Sequence, residues 1–452
     1  SPIKGTDSGI INSIIKTAVV PPVLLAVAAV LCYLFIVRGM YALEDLPVKK
    51  IPRWSKICIE VVMVVFFLHT VQVQGTEIGM WDYIQSVRES SDFYEKEYVN
   101  PAKVKMTFPK EKKNLIYIFM ESMESSYADK EDGGTMDDNY IPNLTKLARE
   151  NVQFTDKKDG KVGGPVCLEA TAYTAGGLVA QTSAINLKVM NSGAVSDSFL
   201  PNLTALGDIL NKQGYNQMFL CGSDGDFAGR DAYFKTHKDY QIEDYKAAIK
   251  EGDIPKDYKV YWGHEDKVLY ERAKKNLKKL SKEGKPFNLT MLTVDTHFPN
   301  GYICDLCENK YDTTYGNAVA CADRQVYDFV QWIKKQDFYE DTTIIIAGDH
   351  TSMVDTGSKF WKSLSNDYQR TVYNAIINPQ CAYKKKVTTK RKFSTMDMFP
   401  TTLAALGVEI DGNKLGLGTN LFSGEETLRE ELGANYINKE LKRNDKMYNQ
   451  FY

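Results

Sequence analysis

The chain has 452 residues, 25% of them charged, and a formal net charge of −2. That length exceeds one small core, so a large domain with additional segments is expected. The near-neutral balance, with no Lys/Arg-rich run interleaved with aromatics, leaves no electrostatic footprint for nucleic acid, and that class of partner is excluded.

The first 75 residues differ from the rest. Residues 18–37 form a 20-residue run without a charge, long enough to span a bilayer as a helix. Pro21 and Pro22 fall near its start, where a helix tolerates them. Residues 57–73 form a second apolar run, interrupted by Glu60 and His69. With its flanks it reads as a second span, and otherwise as an amphipathic or buried helix. Between the runs, Arg38, Lys49, Lys50, Arg53 and Lys56 outnumber Glu44 and Asp45. Positive loops stay cytoplasmic, so both chain ends are expected on the extracytoplasmic side of a cell membrane. This divides the chain into two transmembrane helices with a basic loop (1–75), an extracytoplasmic linker (76–113), a catalytic domain (114–423) and a charged helical tail (424–452).

Past the linker, strands and helices alternate. "NLIYIFME" (114–121), "YNQMFLCG" (215–222), "FNLTMLTVD" (287–295), "TTIIIAGD" (342–349) and "RTVYNAIINP" (370–379) are short apolar runs that read as buried strands. "IPNLTKLARE" and the basic amphipathic "DKVLYERAKKNLKKLSKEGK" read as helices, as does "TMDMFPTTLAALGV", which Gly407 stops. The alternation predicts a mostly parallel sheet covered on both faces, with ligands collected at the carboxyl ends of its strands. Cys304, Cys307 and Cys321 cluster in a loop-like segment. Zinc would suit them in the cytosol; outside the membrane a disulfide joining Cys321 to Cys304 or Cys307 is expected. Cys167, Cys221 and Cys381 have no obvious partner.

Two of these strands end in acids, Glu121 and Asp349, and His350 follows the second. Two carboxylates and an imidazole on one sheet edge suit a divalent metal with an open position. Each alone reads equally as a cap or a turn. In "EATAYTAGGLVAQTS" (169–183), Thr171 and Thr174 precede small residues and an apolar helix. A hydroxyl at a helix N-terminus lies where a phosphoryl group is stabilised, and a nearby metal would make it a nucleophile. An ordinary N-cap is the plainer reading.

"NLIYIFMES", "TAYTAGGLVAQTS", "LTVDTHFPNGY", "IIIAGDHTSM", "DMFPTTLAALGV" and "LGLGTNLFS" together resemble the membrane-anchored phosphoglycerol transferases. That family includes lipoteichoic acid synthases and glucan-modifying enzymes, in the sulfatase-like branch of the alkaline phosphatase superfamily. The resemblance covers about residues 95–423. It implies an α/β fold, an alkaline-phosphatase/sulfatase-like mixed sheet flanked by helices and preceded by two transmembrane helices. It matches Glu121, Thr174, Asp349 and His350 to the metal ligands, with Thr174 also the nucleophile and Thr171 its rival. One divalent ion is implied, Mn2+ in this branch, with Zn2+ as the alternative. His297 matches a histidine beside the substrate phosphate, able to stabilise the transferred group or protonate the leaving alcohol. Arg230 matches an arginine contacting phosphate or glycerol. The donor implied is phosphatidylglycerol. The acceptor is a hydroxyl of a glycerol-phosphate polymer, a glycolipid, or a cell-surface polysaccharide or glucan. Lipoteichoic acid synthases carry a histidine at the position of Cys221 and a tryptophan at that of Ala228, so the head-group pocket is expected to differ.

His237, just after Arg230, is a candidate head-group contact or a surface residue. Asp266 is a candidate pocket residue or a helix N-cap. Glu124 and Asp295 are expected to support the site from behind. Phosphoethanolamine transfer and phosphatase- or sulfatase-type hydrolysis are the rival activities. No Cys/Ser-x-Pro-x-Arg motif surrounds Thr174, which counts against a sulfatase reaction. An inactive surface-polysaccharide binding module would predict a broken ligand set, whereas all four ligand types are present.

Overall fold

The computed structural model describes residues 53–77, 81, 88–158, 160–188 and 198–452. The first apolar run and most of the basic loop lie outside the described residues. The chain forms two compact units, 3–90 and 91–452. In the first, the second apolar run lies within a helix, α1 (Arg53–Glu77). Its middle exposes Val61, Val62, Val64, Val65, Phe66, Phe67 and Leu68 to between 45% and 65%. Among the described residues no helix is long and apolar enough to cross a membrane, so the two expected spans are not shown.

The second unit is built on a six-stranded sheet. Its strands are β1 (Asn114–Met120), β2 (Asn216–Cys221), β3 (Gln241–Glu243), β4 (Phe287–Leu292), β5 (Thr342–Gly348) and β6 (Asn374–Ile377), in the order β3-β2-β4-β1-β5-β6. Every pairing is parallel except β5 with the edge strand β6. The helices used below are α2 (Pro142–Glu150), α3 (Thr174–Ser183), α4 (Leu206–Lys212), α5 (Arg230–Thr236), α6 (Asp266–Leu280), α7 (Thr314–Ile333), α8 (Met398–Ala405) and α9 (Ala434–Lys442).

The period of two along β1 explains why the sheet needs cover on both sides. Leu115, Tyr117 and Phe119 enter one core, with α3, α4, α8 and α9. Ile116, Ile118 and Met120 enter the other, with α2, α6 and α7. Five of the six strands match the apolar runs. The short β3 was not foreseen, because its three residues, Gln-Ile-Glu, make no run.

The linker and tail are less separate than the sequence suggested. Met106–Thr107 pairs with Glu409–Ile410. Tyr94 packs against Tyr448 and Phe451 at ring separations of 5.2 and 5.8 Å, and Ile437 and Leu441 are buried in the first core. Aromatic burial of this kind makes residues 91–113 and 424–452 part of the domain. The disulfide joins Cys321 to Cys307, and Cys304 keeps its thiol.

Candidate metal centre

β1 and β5 are adjacent and parallel, and Met120 lies opposite Gly348. The next residues, Glu121 and Asp349, therefore leave the sheet side by side. The isoleucines of "IIIAGDH" are fully buried. Each is worth roughly 1.5–3 kcal/mol of transfer free energy, which anchors the strand that presents Asp349 and His350. α3 can reach this edge because residue 177 is glycine: a Cβ there would lie 2.1 Å from the Asp349 carbonyl oxygen. That approach brings Thr174, the first residue of α3, into the cluster.

The side chains converge on one point. Thr174 Oγ1 donates to Glu121 Oε2 at 3.2 Å and lies 3.4 Å from His350 Nε2. His350 Nε2 is 3.3 Å from Glu121 Oε1 and 3.5 Å from Asp349 Oδ2. His350 Nδ1 is 2.8 Å from the Thr351 carbonyl, which makes Nδ1–H the donor and leaves Nε2 facing the cluster. Asp349 Oδ1 accepts backbone N–H bonds from Ser122 and His350 at 2.8 and 2.7 Å. Asp349 Oδ2 is buried without a hydrogen-bond partner. An orphaned buried carboxylate oxygen is costly. Here it sits with oxygen and nitrogen ligand atoms of Glu121 and His350, all within 4.8 Å of one another. This donor set fits a divalent cation, and the residues that would hold it are Glu121, Asp349 and His350, with the Thr174 hydroxyl beside them.

The electrostatics carry the same strain. Burial, then the Glu121 charge, raises the Asp349 carboxyl to about 8. Burial works against a charged His350, but Asp349 and Glu121 outweigh it and lift the imidazole to about 10. Burial likewise opposes Glu121, yet His350 and His297 hold its carboxyl well below the usual range. Without a cation the cluster keeps protons that a bound metal would displace.

A second layer fixes the two turns. Glu124, fully buried, accepts from Ser352 N–H at 2.8 Å and from Arg370 Nε at 3.1 Å, and also from Arg370 Nη2. Arg370 Nη2 in turn donates to the Ser352 carbonyl at 2.7 Å. The pair thus ties the turn after β1 to the turn after β5. Ser122 Oγ donates to Glu121 Oε1 and Thr293 Oγ1 accepts the Glu121 N–H, at 2.8 and 2.9 Å. Glu124 supports the site as the sequence suggested. Arg370 and Thr293 were missed, and no motif marks either.

The other candidates divide. Thr171 is buried and donates to the Leu168 carbonyl at 2.9 Å, away from the carboxylates, so only Thr174 of the two threonines joins the cluster. His297 is half-buried, with Nδ1 2.8 Å from the Phe298 carbonyl and its ring 4.8 Å from that of Trp262. Arg230 is buried, and its Nη2 donates to Ser223 Oγ and the Asp224 carbonyl at 3.0 and 2.7 Å, its Nε to the Phe227 carbonyl at 3.0 Å. Its own loop therefore commits much of the guanidinium.

With Glu265 at the cap position, Asp266 is not the N-cap but the first residue of α6. Its two oxygens accept N–H bonds from Val294 and Asp295 at 2.8 and 3.2 Å, so it braces the segment bearing His297. His237 is neither at the surface nor at the cluster. It is 2% exposed, and its Nδ1 is 2.8 Å from Asp208 Oδ2, where it fastens the end of α5 to α4.

Comparison with known proteins follows the same lines. Residues 113–408 match the family model for sulfatases. Phosphoglycerol transferase I of Salmonella choleraesuis is 33% identical over 340 residues, 73% of this chain and 41% of that protein. The Shigella flexneri protein of the same name shows the same identity and coverage. The chain thus spans about two fifths of the length of the curated relatives it matches. The lipoteichoic acid synthase LtaP from Listeria monocytogenes has a similar fold, with a TM-score of 0.56 at 19% identity over 71% of this chain and 79% of that one. An alkaline phosphatase superfamily protein from Vibrio parahaemolyticus gives 0.51 at 21% identity, over 75% and 78%.

Proposed function

The chain belongs to the sulfatase family, and from that premise we propose that it transfers phosphoglycerol from phosphatidylglycerol to a hydroxyl acceptor through Thr174. One observation carries the proposal. The Thr174 hydroxyl sits at the start of α3, 3.2 Å from Glu121 and 3.4 Å from His350, beside the unpartnered Asp349 oxygen. Relatives named phosphoglycerol transferase I support the choice of group transferred.

Glu121, Asp349 and His350 would hold the divalent ion, which the family resemblance makes manganese. When bound it supplies positive charge that lowers the Thr174 hydroxyl pKa and offsets the phosphate charge. Glu121 takes the hydrogen bond of the Thr174 hydroxyl and orients Oγ1 for attack. The Thr174 hydroxyl proton passes to solvent, and the Oγ1–P bond forms as the diacylglycerol O–P bond breaks. His297, with Nδ1–H donating to the Phe298 carbonyl, enters the step with a second proton on Nε2, gives that proton to the departing alkoxide and is left neutral. The open N–H groups of the first turn of α3 face the new negative charge. An acceptor hydroxyl, giving its proton to the neutral His297, then displaces Thr174 Oγ1, which takes a proton from solvent, and the cycle closes. Arg230 binds the phosphoglycerol head group, and the loop bonds that hold its guanidinium fix its direction.

Membrane attachment belongs to the same proposal. The exposed apolar middle of α1 and the uncharged run at 18–37 support a tether that keeps the enzyme near its lipid donor and raises their effective concentration. The catalytic unit then works on the extracytoplasmic side, on a glycerol-phosphate polymer, a glycolipid, or a polysaccharide or glucan.

Incubation with phosphatidylglycerol labelled in the head group tests the activity. Labelled phosphoglycerol on an added hydroxyl acceptor, with release of diacylglycerol, is expected. Release of free glycerol phosphate alone would make the enzyme a hydrolase. Transfer only from phosphatidylethanolamine would make it a phosphoethanolamine transferase.

A further inference from the structure

Three cysteines meet in the loop that follows His297. Cys307 and Cys321 are bonded, while Cys304 is a free and buried thiol. Cys304 Sγ lies 3.6 Å from Cys307 Sγ, and the Cys304 N–H donates to the same sulfur at 3.3 Å. The three sulfurs lie within 4.8 Å of one another. A thiol in contact with a disulfide sulfur is placed for exchange, which needs only deprotonation and access to that sulfur.

The two alternative bonds would do different things to the chain. The present bond ties the loop to α7, which carries Cys321. A bond between Cys304 and Cys307 would close the loop on itself and leave α7 untied. The loop begins beside a proposed catalytic group: Gly301 N–H donates to the His297 carbonyl at 3.0 Å and Tyr302 N–H to that of Asp295 at 2.7 Å. Between Cys304 and Glu308 its other anchors are the exposed ion pairs of Lys267 with Asp305 and Arg324 with Glu308 and the bond from Arg324 to the Leu306 carbonyl, whereas further on the Asn317 side chain accepts the backbone N–H groups of Lys310 and Tyr311. Exposed pairs of this kind restrain little. The disulfide is therefore the strong restraint on residues 303–308.

We propose that Cys304, Cys307 and Cys321 form a thiol–disulfide exchange site with two native pairings, one pinning the His297-proximal loop to α7 and the other releasing it. The Cys304 thiol loses its proton to solvent, and its thiolate attacks Cys307 Sγ. The Cys304–Cys307 bond forms as the Cys307–Cys321 bond breaks, and Cys321 leaves as a thiolate that takes a proton from solvent. One thiol and one disulfide are present before and after, so no oxidant is consumed. Burial raises the Cys304 thiol above its ordinary value, so exchange speeds up as pH rises. The inference involves neither the metal nor the donor lipid, and it stands apart from the phosphoglycerol reading.

The test is differential alkylation of the folded full chain. Samples held at pH 7 and pH 9 are quenched in acid, and their free thiols are alkylated before reduction. A second, heavier label then marks the disulfide sulfurs, and peptides are read by mass spectrometry. In the wild type the first label should divide between Cys304 and Cys321, reaching the same ratio faster at pH 9. Cys304→Ser should leave Cys321 unlabelled at both pH values. Cys321→Ser should yield a quantitative Cys304–Cys307 bond and faster hydrogen exchange in residues 303–308. A wild-type first label confined to Cys304 at both pH values overturns the proposal, and because that reading needs no variant it holds even if a substitution fails to fold.

Discussion

The sheet edge has two halves that carry similar side chains and use them differently. At the ends of β1 and β5, Glu121, Asp349 and His350 each spend part of their hydrogen-bonding capacity on the protein and turn the rest to a shared point. At the ends of β2 and β4, most charged side chains are spent on neighbouring chain, and Asp295, whose oxygens have no hydrogen-bond partner, belongs to no converging set of ligating groups among the described residues. Asp266 holds two backbone N–H groups, Arg230 holds its own loop, and His264, buried beyond β2, faces the Glu265 carbonyl. A strand end collects charged groups, but a metal site also needs lone pairs left unspent. That distinction depends on partners far away in sequence, and it separates the proposed ligand half from the half proposed to bind substrate.

The largest break in this comparison should come from Thr174. Thr174→Ala removes the hydroxyl without disturbing Glu121, Asp349 or His350. Turnover should fall by about 10³-fold or more while metal content, measured by elemental analysis, stays at one ion per chain. Loss of metal together with activity would make Thr174 a ligand first.

Arg370→Met is next. It strands the buried Glu124 charge, and breaking such a pair costs about 3–5 kcal/mol, readable as a lower denaturation midpoint. Metal affinity, measured by calorimetry on the metal-free protein, should weaken about 10–100-fold. Unchanged affinity would mean the two turns keep their places without the clamp.

The β4 half gives a pH signature. Asp295 is buried with both carboxylate oxygens unpartnered. Burial, then Asp266, raises its carboxyl to about 9. The folded state therefore holds a proton that the unfolded chain gives up near its ordinary value. Stability from this group is fully present below about pH 4 and is lost as pH rises towards 9, at up to about 1.4 kcal/mol per pH unit. Asp295→Asn should flatten that fall in thermal melts between pH 5 and 9. An equal fall in both proteins would assign it to other groups.

The smallest effect is expected at His237. His237→Gln loses the bond to Asp208 and should cost about 1 kcal/mol with unchanged kcat/KM for the donor. A selective rise in KM would return His237 to the head-group site.

Much of the ligand half could be read in the sequence, because it rests on local signals. An apolar run fixes a buried strand, and the polar residue that ends it lands on the edge; this placed Glu121, Asp349 and His350 together. Thr171 and Thr174 could not be separated that way. Which hydroxyl meets the carboxylates depends on how closely α3 approaches Asp349 across Gly177. The other half was less legible. Asp266 and His237 have the chemistry of binding groups, and only their tertiary partners reveal that they brace the chain. Arg370 lies 246 residues from Glu124, and nothing local announces that pairing. The partner of Cys321 was likewise open between Cys304 and Cys307, which lie close together in the sequence.

The central claim is that Thr174 carries the transferred group. The direct measurement is acid-quenched mass spectrometry of the metal-loaded chain after brief exposure to phosphatidylglycerol without acceptor. The account predicts one added glycerophosphoryl group on the peptide bearing Thr174, localised to that residue and chased away by a hydroxyl acceptor. An adduct on Thr171 or on any other side chain, or transfer that proceeds while Thr174 stays unmodified, would contradict it.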